Sequence, residues 1–105
     1  MDSNDERVIF RGSWYPNWFF AAIAYDIIPA RVTKRMKRTG EDYEKALESI
    51  VSDKEVTTVI IGDNFYKNLH KACEGEHVGY SAVRYAIFSN GYTKEEAITE
   101  MKKRA

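Results

Sequence analysis

A chain of 105 residues with sixteen basic and sixteen acidic side chains carries no formal net charge, and 44% of it is hydrophobic. That size suits one compact domain or two very small units and excludes a multidomain enzyme. The balanced charge, with a sequence pI near 6.7, excludes the globally basic field of a non-specific nucleic-acid coat, so nucleic-acid binding would need a local patch.

In chain order, Met1 to Glu6 is polar and acidic; it lacks the pattern of a signal peptide and is expected to be a flexible N-terminus. Val8-Ile9-Phe10 is a β-branched and aromatic run stopped by Gly12, which predicts a short strand. Five aromatics crowd the seven residues from Trp14 to Phe20. Asn17 is the expected N-cap of a helix over 17–25, with Phe19, Ala22 and Ile23 at helical spacing. Pro29 opens a second helix over 29–38, where its missing N–H costs nothing, and Gly40 closes it. Asp42 caps a third helix over 43–52.

The order then returns. Val56 to Ile61 reads as a strand stopped by Gly62, and Asn64 or Lys67 starts a helix reaching about Cys73. Gly79 precedes a helix over 80–89, and Thr93 with Glu96 forms a capping box for the last helix. Laying Gly12 on Gly62 pairs Tyr15 with Phe65, Phe19 with Leu69, Ala22 with Ala72 and Ile23 with Cys73. One extra residue in the second copy then pairs Val32 with Val83, Met36 with Ile87, Gly40 with Gly91 and Leu47 with Ile98. A period near fifty residues marks one supersecondary unit used twice. The expected fold is mainly α (α+β): two pseudo-symmetric strand-helix-helix-turn-helix repeats, 7–52 and 53–105, packed as one domain around a shared core.

A strand followed by Gly-x-x-Tyr/Phe, a small alanine-bearing helix, a Val-x-x-Arg helix and Gly-aromatic-Ser/Thr-x-Glu-Glu-Ala-Leu/Ile resembles a known family. It is similar to the small helix-turn-helix-like DNA-binding repeats attached to phage HNH and GIY-YIG homing endonucleases and found in small phage proteins. Gly12, Tyr15, Ala21, Ala30, Val32, Arg35, Gly40, Ala46 and Leu47 carry the likeness in the first copy. Gly62, Phe65, Ala72, Ser81, Val83, Gly91, Tyr92, Thr93, Glu95, Glu96, Ala97 and Ile98 carry it in the second. The resemblance implies a phage or mobile-element protein in the bacterial cytoplasm that binds double-stranded DNA through its second helix. These 105 residues are expected to hold only the repeats and no nuclease domain, a departure from the family's pattern.

Arg31-Val-Thr-Lys-Arg-Met-Lys-Arg38 holds five basic residues in eight and no acidic one. Steps of 100° turn Val32 and Met36 inward and spread Arg31, Lys34, Arg35 and Arg38 over the exposed surface. A helix of this kind fits the major groove, so Arg31, Thr33, Lys34, Arg35, Lys37 and Arg38 are expected DNA contacts. Tyr80, Ser81, Arg84 and Tyr85 are expected as a weaker second contact. The plainer alternative is a solvated face balanced by Glu41, Asp42, Glu44 and Glu48.

Trp14, Trp18 and Phe20 exceed what the repeat requires. They are expected to pack between the copies, with a homodimer surface or a host-protein interface as alternatives. An inhibitor or adaptor acting on a host protein through these three is the competing function. No grouping supports catalysis, a cofactor or a metal: His70 and His77 read as surface residues and Cys73 as core. No stretch reaches membrane-spanning length, since Asp26 and Pro29 interrupt the longest apolar run. The lone Cys73 leaves no internal disulfide and fits a reducing compartment. Lys102-Lys103-Arg104 suits the negative end of the last helix.

Overall fold

Val8, Ile9 and Phe10 do form a strand, but it is half of a hairpin. In a computed structural model describing residues 7–104, β1 (Val8–Phe10) pairs antiparallel with β2 (Ser13–Tyr15), placing Ile9 opposite Trp14. The expected flexible segment 1–6 lies outside the described residues. Alternation turns Phe10 into the core and leaves Ile9 and Trp14 on the outer face. Three helices follow, α1 (Trp18–Ala24), α2 (Pro29–Thr39) and α3 (Tyr43–Glu55). A second hairpin, β3 (Val59–Ile61) with β4 (Asn64–Tyr66), then leads to α4 (Leu69–Glu76), α5 (Tyr80–Asn90) and α6 (Lys94–Arg104). The fold is mainly helical α+β.

Local chemistry sets these boundaries. Asn17 Oδ1 accepts the Phe20 N–H at 3.1 Å, and Asp42 Oδ1 accepts that of Lys45 at 2.8 Å. Asn68, rather than Asn64 or Lys67, caps α4 by accepting the Lys71 N–H at 2.9 Å. Thr93 and Glu96 make the reciprocal capping box, Thr93 N–H donating to Glu96 Oε1 at 2.9 Å and Glu96 N–H to Thr93 Oγ1 at 3.3 Å. The left-handed conformation closing α2 and α5 falls to Gly40 (φ 82°) and Gly91 (φ 73°). Helix α3 runs past its expected end at residue 52, and the following strand shrinks accordingly.

The two halves pass through the same order of elements, and each element starts 51 residues after its counterpart: 8 and 59, 18 and 69, 29 and 80, 43 and 94. The spacing is constant, so the extra residue expected in the second copy is not needed. Arg11 (φ 52°), not Gly12, is the counterpart of Gly62 (φ 60°). Tyr15 therefore corresponds to Tyr66, Phe19 to His70 and Ile23 to Glu74. Phe19, Ile23 and Phe65, each laid on an apolar partner when Gly12 is set on Gly62, are all exposed, whereas Tyr15 and Tyr66 are partly buried.

Each half has its own apolar core, in place of the shared core expected between them. Phe10, Ile27, Val32, Leu47 and Ile50 anchor the first, and Val59, Cys73, Val83, Ile87 and Ile98 the second. Each hairpin is tied down by a charged group. Arg11 Nη2 donates to Glu48 Oε2 at 2.7 Å and Nη1 to Glu55 Oε2 at 2.8 Å, clasping the first hairpin turn to α3. In the second half, buried Glu76 accepts from Lys102 Nζ at 2.6 Å, Asn64 Nδ2 at 3.1 Å and the Tyr66 hydroxyl. The molecule is elongated, 53 × 24 × 21 Å, and α2 packs against α5 where the halves meet.

Candidate nucleic-acid interface

Helices α1 and α2 are separated by four residues, Tyr25 to Ile28, in which Asp26 takes φ 59° and Ile27 is buried in the first core. His77 (φ 60°), Val78 and Gly79 join α4 to α5 in the same manner. Each half thus holds a helix, a tight turn and a second helix.

The rotation of α2 about its axis differs from expectation. Val32 is buried and Met36 packs on the first core, as the 100° steps require. Arg31 and Arg35, expected on the surface, are only 6% and 5% exposed. The helix buries two faces, and the second carries the arginines. Arg35 Nη1 donates to Glu96 Oε1 at 2.6 Å and to the Gly91 carbonyl at 3.0 Å, while its Nε donates to Glu41 Oε1 at 2.9 Å. Arg38 Nη2 donates to Glu96 Oε1 and the Gly91 carbonyl, both at 3.3 Å, and its guanidinium lies 3.9 Å from the centre of the Tyr92 ring. Arg31 Nε donates to the Ile87 carbonyl at 3.0 Å.

The cause is at the end of α5. A helix leaves its last carbonyls without internal partners and carries partial negative charge there. Three arginines of α2 meet that end, two of them together with the Glu96 carboxylate. Burial pushes the Glu96 carboxyl up, but its bonds from Arg35 and the Thr93 N–H, with the nearby Arg35 and Arg38 charges, outweigh this and hold it at about 2. Burial alone pushes Arg35 down, and its bonds to Glu96 and Glu41 turn the net shift upward.

What remains on the solvent side of α2 is Thr33, Lys34 and Lys37, all exposed, with Arg38 partly so. Thr33 Oγ1 donates to the Ala30 carbonyl at 3.1 Å. Lys34, Lys37 and Arg38 join Asn90 and Tyr92 in lining an open cleft of about 330 Å³ that no carboxylate lines. On α5, Tyr80, Ser81, Arg84 and Tyr85 all reach solvent. Arg84 lies 5.8 Å from the Tyr80 ring centre and 5.1 Å from that of Phe88. The spacing Tyr80, Arg84, Phe88 puts the three on one stripe, a signal present in the sequence that would have added Phe88 to the surface. Asn90 and Tyr92 were legible only once α2 was seen against α5.

The aromatic cluster separates into two groups. Trp18 belongs to the first core, stacked on Tyr43 at 5.8 Å and edge-on to Phe10 at 6.3 Å. Trp14 is 64% exposed with Arg7 over its ring, and Phe20 and Phe19 are half exposed in edge contact. Their contacts all lie within the first half, so packing between the copies does not describe them. Cys73 is buried, and His70 lies against Tyr80 with ring centres 4.8 Å apart. Among the described residues no group of three or more His, Cys, Asp and Glu converges, and no helix is long and apolar enough to cross a membrane. No family model, curated protein or solved structure matches the chain.

Proposed function

We propose that this is a non-enzymatic protein that binds duplex DNA, built from two pseudo-symmetric copies of one hairpin and three-helix unit. The observation supporting it is the exposed edge of α2: Thr33, Lys34 and Lys37 face solvent without an acidic neighbour on that edge, and the buried arginines fix how the edge is turned. In this reading Arg31 and Arg35 orient the helix, and the contacts with DNA pass to Lys34, Lys37, Arg38 and Thr33. Ser81, Arg84, Tyr80 and Tyr85 on α5 supply the second surface. The family resemblance adds a phage or mobile-element setting, the cytoplasm of a bacterial host and a role in transcriptional control.

The size of the electrostatic contribution follows. With Glu41 and Glu96 neutralising Arg35, and Glu96 also bonding Arg38, about three cations, Lys34, Lys37 and Arg84, are free to neutralise phosphates, giving a salt slope near −3 in log K against log salt. Fluorescence anisotropy with a labelled duplex over a salt series measures it. A slope near zero, or absence of binding at low salt, contradicts the proposal.

A second reading rests on a different observation, the half-exposed Phe19, Phe20 and Ile23 on α1 beside exposed Ile28 and Trp14. Such a patch suits a host-protein partner. Trp18 no longer belongs to it. Capture of a bacterial protein that survives in Trp18→Phe and is lost in Trp14→Ala with Phe20→Ala supports this reading, and retention by the double variant contradicts it.

A further inference from the structure

Helix α1 has a solvent face that its counterpart in the second half lacks. Phe19, Phe20 and Ile23 are each about half exposed, and Ile28, in the turn before α2, is 62% exposed. Steps of 100° set Ile23 between the two phenylalanines, whose rings meet edge-on with centres 5.5 Å apart. Ile23 and Ile28 in turn line one open cleft of about 370 Å³ with Asp26, Ile27 and Pro29. The four exposed side chains form one continuous apolar surface.

The fold does not require this surface. At the corresponding places the second half holds His70, Lys71, Glu74 and Gly79, all exposed, and α4 still packs on its core through Ala72 and Cys73. Helix α1 likewise packs within its own half, on β1, β2, α2 and α3, through buried Ala21 and Ala22. Residues 1–6 hold no apolar side chain beyond Met1, so that segment offers nothing to cover the face.

Three observations point to a second copy of the chain as the occupant. The surface carries projecting rings beside a recess, and a two-fold axis seats the rings of each copy in the recess of the other. The recess is more than twice the roughly 150 Å³ that holds one benzene ring, which leaves room for both phenylalanines. Asp26 is the one charged residue lining it, and the chain has no net charge, so two copies approach without strong repulsion. The area is also adequate. The four side chains leave roughly 350 Å² of apolar surface per copy, so a two-fold contact covers about 700 Å². At the apolar share of about 65% usual in homodimers, this corresponds to an interface of about 1,100 Å², enough for a specific contact.

We propose that this face joins two copies of the chain in a two-fold dimer, with Phe19 and Phe20 of each seated in the cleft of Ile23, Ile28 and Pro29 of the other. Its strength is micromolar, because the interface lies at the small end of specific contacts. The occupant is then not a host protein, and the contact is independent of DNA binding by α2.

Analytical ultracentrifugation of the full chain from about 5 to about 500 µM is expected to show a monomer–dimer equilibrium. Phe20→Lys with Ile23→Glu gives α1 the residues that α4 carries at those places. This variant is expected to dimerise about tenfold more weakly or worse, with the helical circular dichroism retained. A mixture of isotope-labelled and unlabelled chain locates the contact, with NOEs expected between copies from the Phe19 and Phe20 rings to the Ile23 and Ile28 methyl groups. If the double variant unfolds, those NOEs in the unaltered chain decide alone. A chain that stays monomeric at about 500 µM, a dimer without these NOEs, or a dimer of unchanged strength in the folded variant overturns the proposal.

Discussion

Arg35 and Glu96 meet across the middle of the molecule with their closest atoms 2.6 Å apart, joining the second helix of one half to the last helix of the other. Glu96 also caps α6 through the Thr93 N–H, and Arg35 also bonds the carbonyl of Gly91 that ends α5. One ion pair therefore holds the end of α5, the start of α6 and the body of α2 in a fixed relation. Arg35→Met keeps the side-chain volume and removes the fork. It is expected to cost about 2–3 kcal/mol, somewhat below a fully buried pair because Glu96 keeps some water contact. Urea unfolding measures this; a loss within about 0.5 kcal/mol would mean that the pair does not hold the halves together.

The close approach at the junction makes a second prediction. Gly40 and Gly91 both take left-handed backbone, but nothing lies near a Cβ added at Gly40, whereas one at Gly91 would collide with the Arg31 carbonyl and sit 2.8 Å from Arg35 Cβ. Gly40→Ala is expected to lose about 1–2 kcal/mol from the left-handed conformation alone. Gly91→Ala should lose that and more, since the obstacle is backbone, and thermal melting of the two variants side by side checks the order.

Acid should act through three carboxyls. Arg11 and Ser52 hold Glu48 at about 2, Lys102, Tyr66 and Asn64 hold Glu76 at about 2, and Glu96 stands at about 2 against an ordinary value of 4.5. Between those limits the unfolded chain takes up protons that the folded chain refuses, so acidification favours unfolding. Their stabilisation is complete above pH 4.5 and is lost progressively towards pH 2. Melting temperature is therefore expected to fall as pH drops through this window, with a shallower fall in Glu96→Gln. A melting temperature unchanged across the window contradicts the assignment.

Much of this was legible from residue chemistry. Asn17, Asp42, the Thr93 and Glu96 box, Pro29, Gly40 and Gly91 announced helix ends because caps act over three or four residues. Helical spacing likewise placed Val32 inside. The hairpins were half seen: Trp14-Tyr15 and Phe65-Tyr66 are aromatic pairs just beyond a turn, yet crowding of aromatics pointed to core rather than to a return strand. Arg31 and Arg35 were misplaced for a different reason. A cationic helix face is ordinarily solvated, and only a second helix end, 56 residues away in sequence, supplies the carbonyls that bury it.

The two tryptophans should behave differently under substitution. Trp18 is enclosed by Phe10 and Tyr43, so Trp18→Ala is expected to cost about 3 kcal/mol. Trp14→Ala, on the outer face of the hairpin, should stay within about 0.5 kcal/mol. Equal effects on denaturant midpoints would contradict the division of the aromatic cluster.

The most direct measurement compares duplex affinity of the unaltered chain with that of Lys34→Ala/Lys37→Ala. Both lysines are exposed and neither makes a hydrogen bond or ion pair within the described residues, so the fold should be retained. The account predicts weaker binding and a salt slope reduced by about two, from near −3 to near −1. Unchanged affinity and slope in a folded double variant would show that α2 does not present its basic edge to DNA.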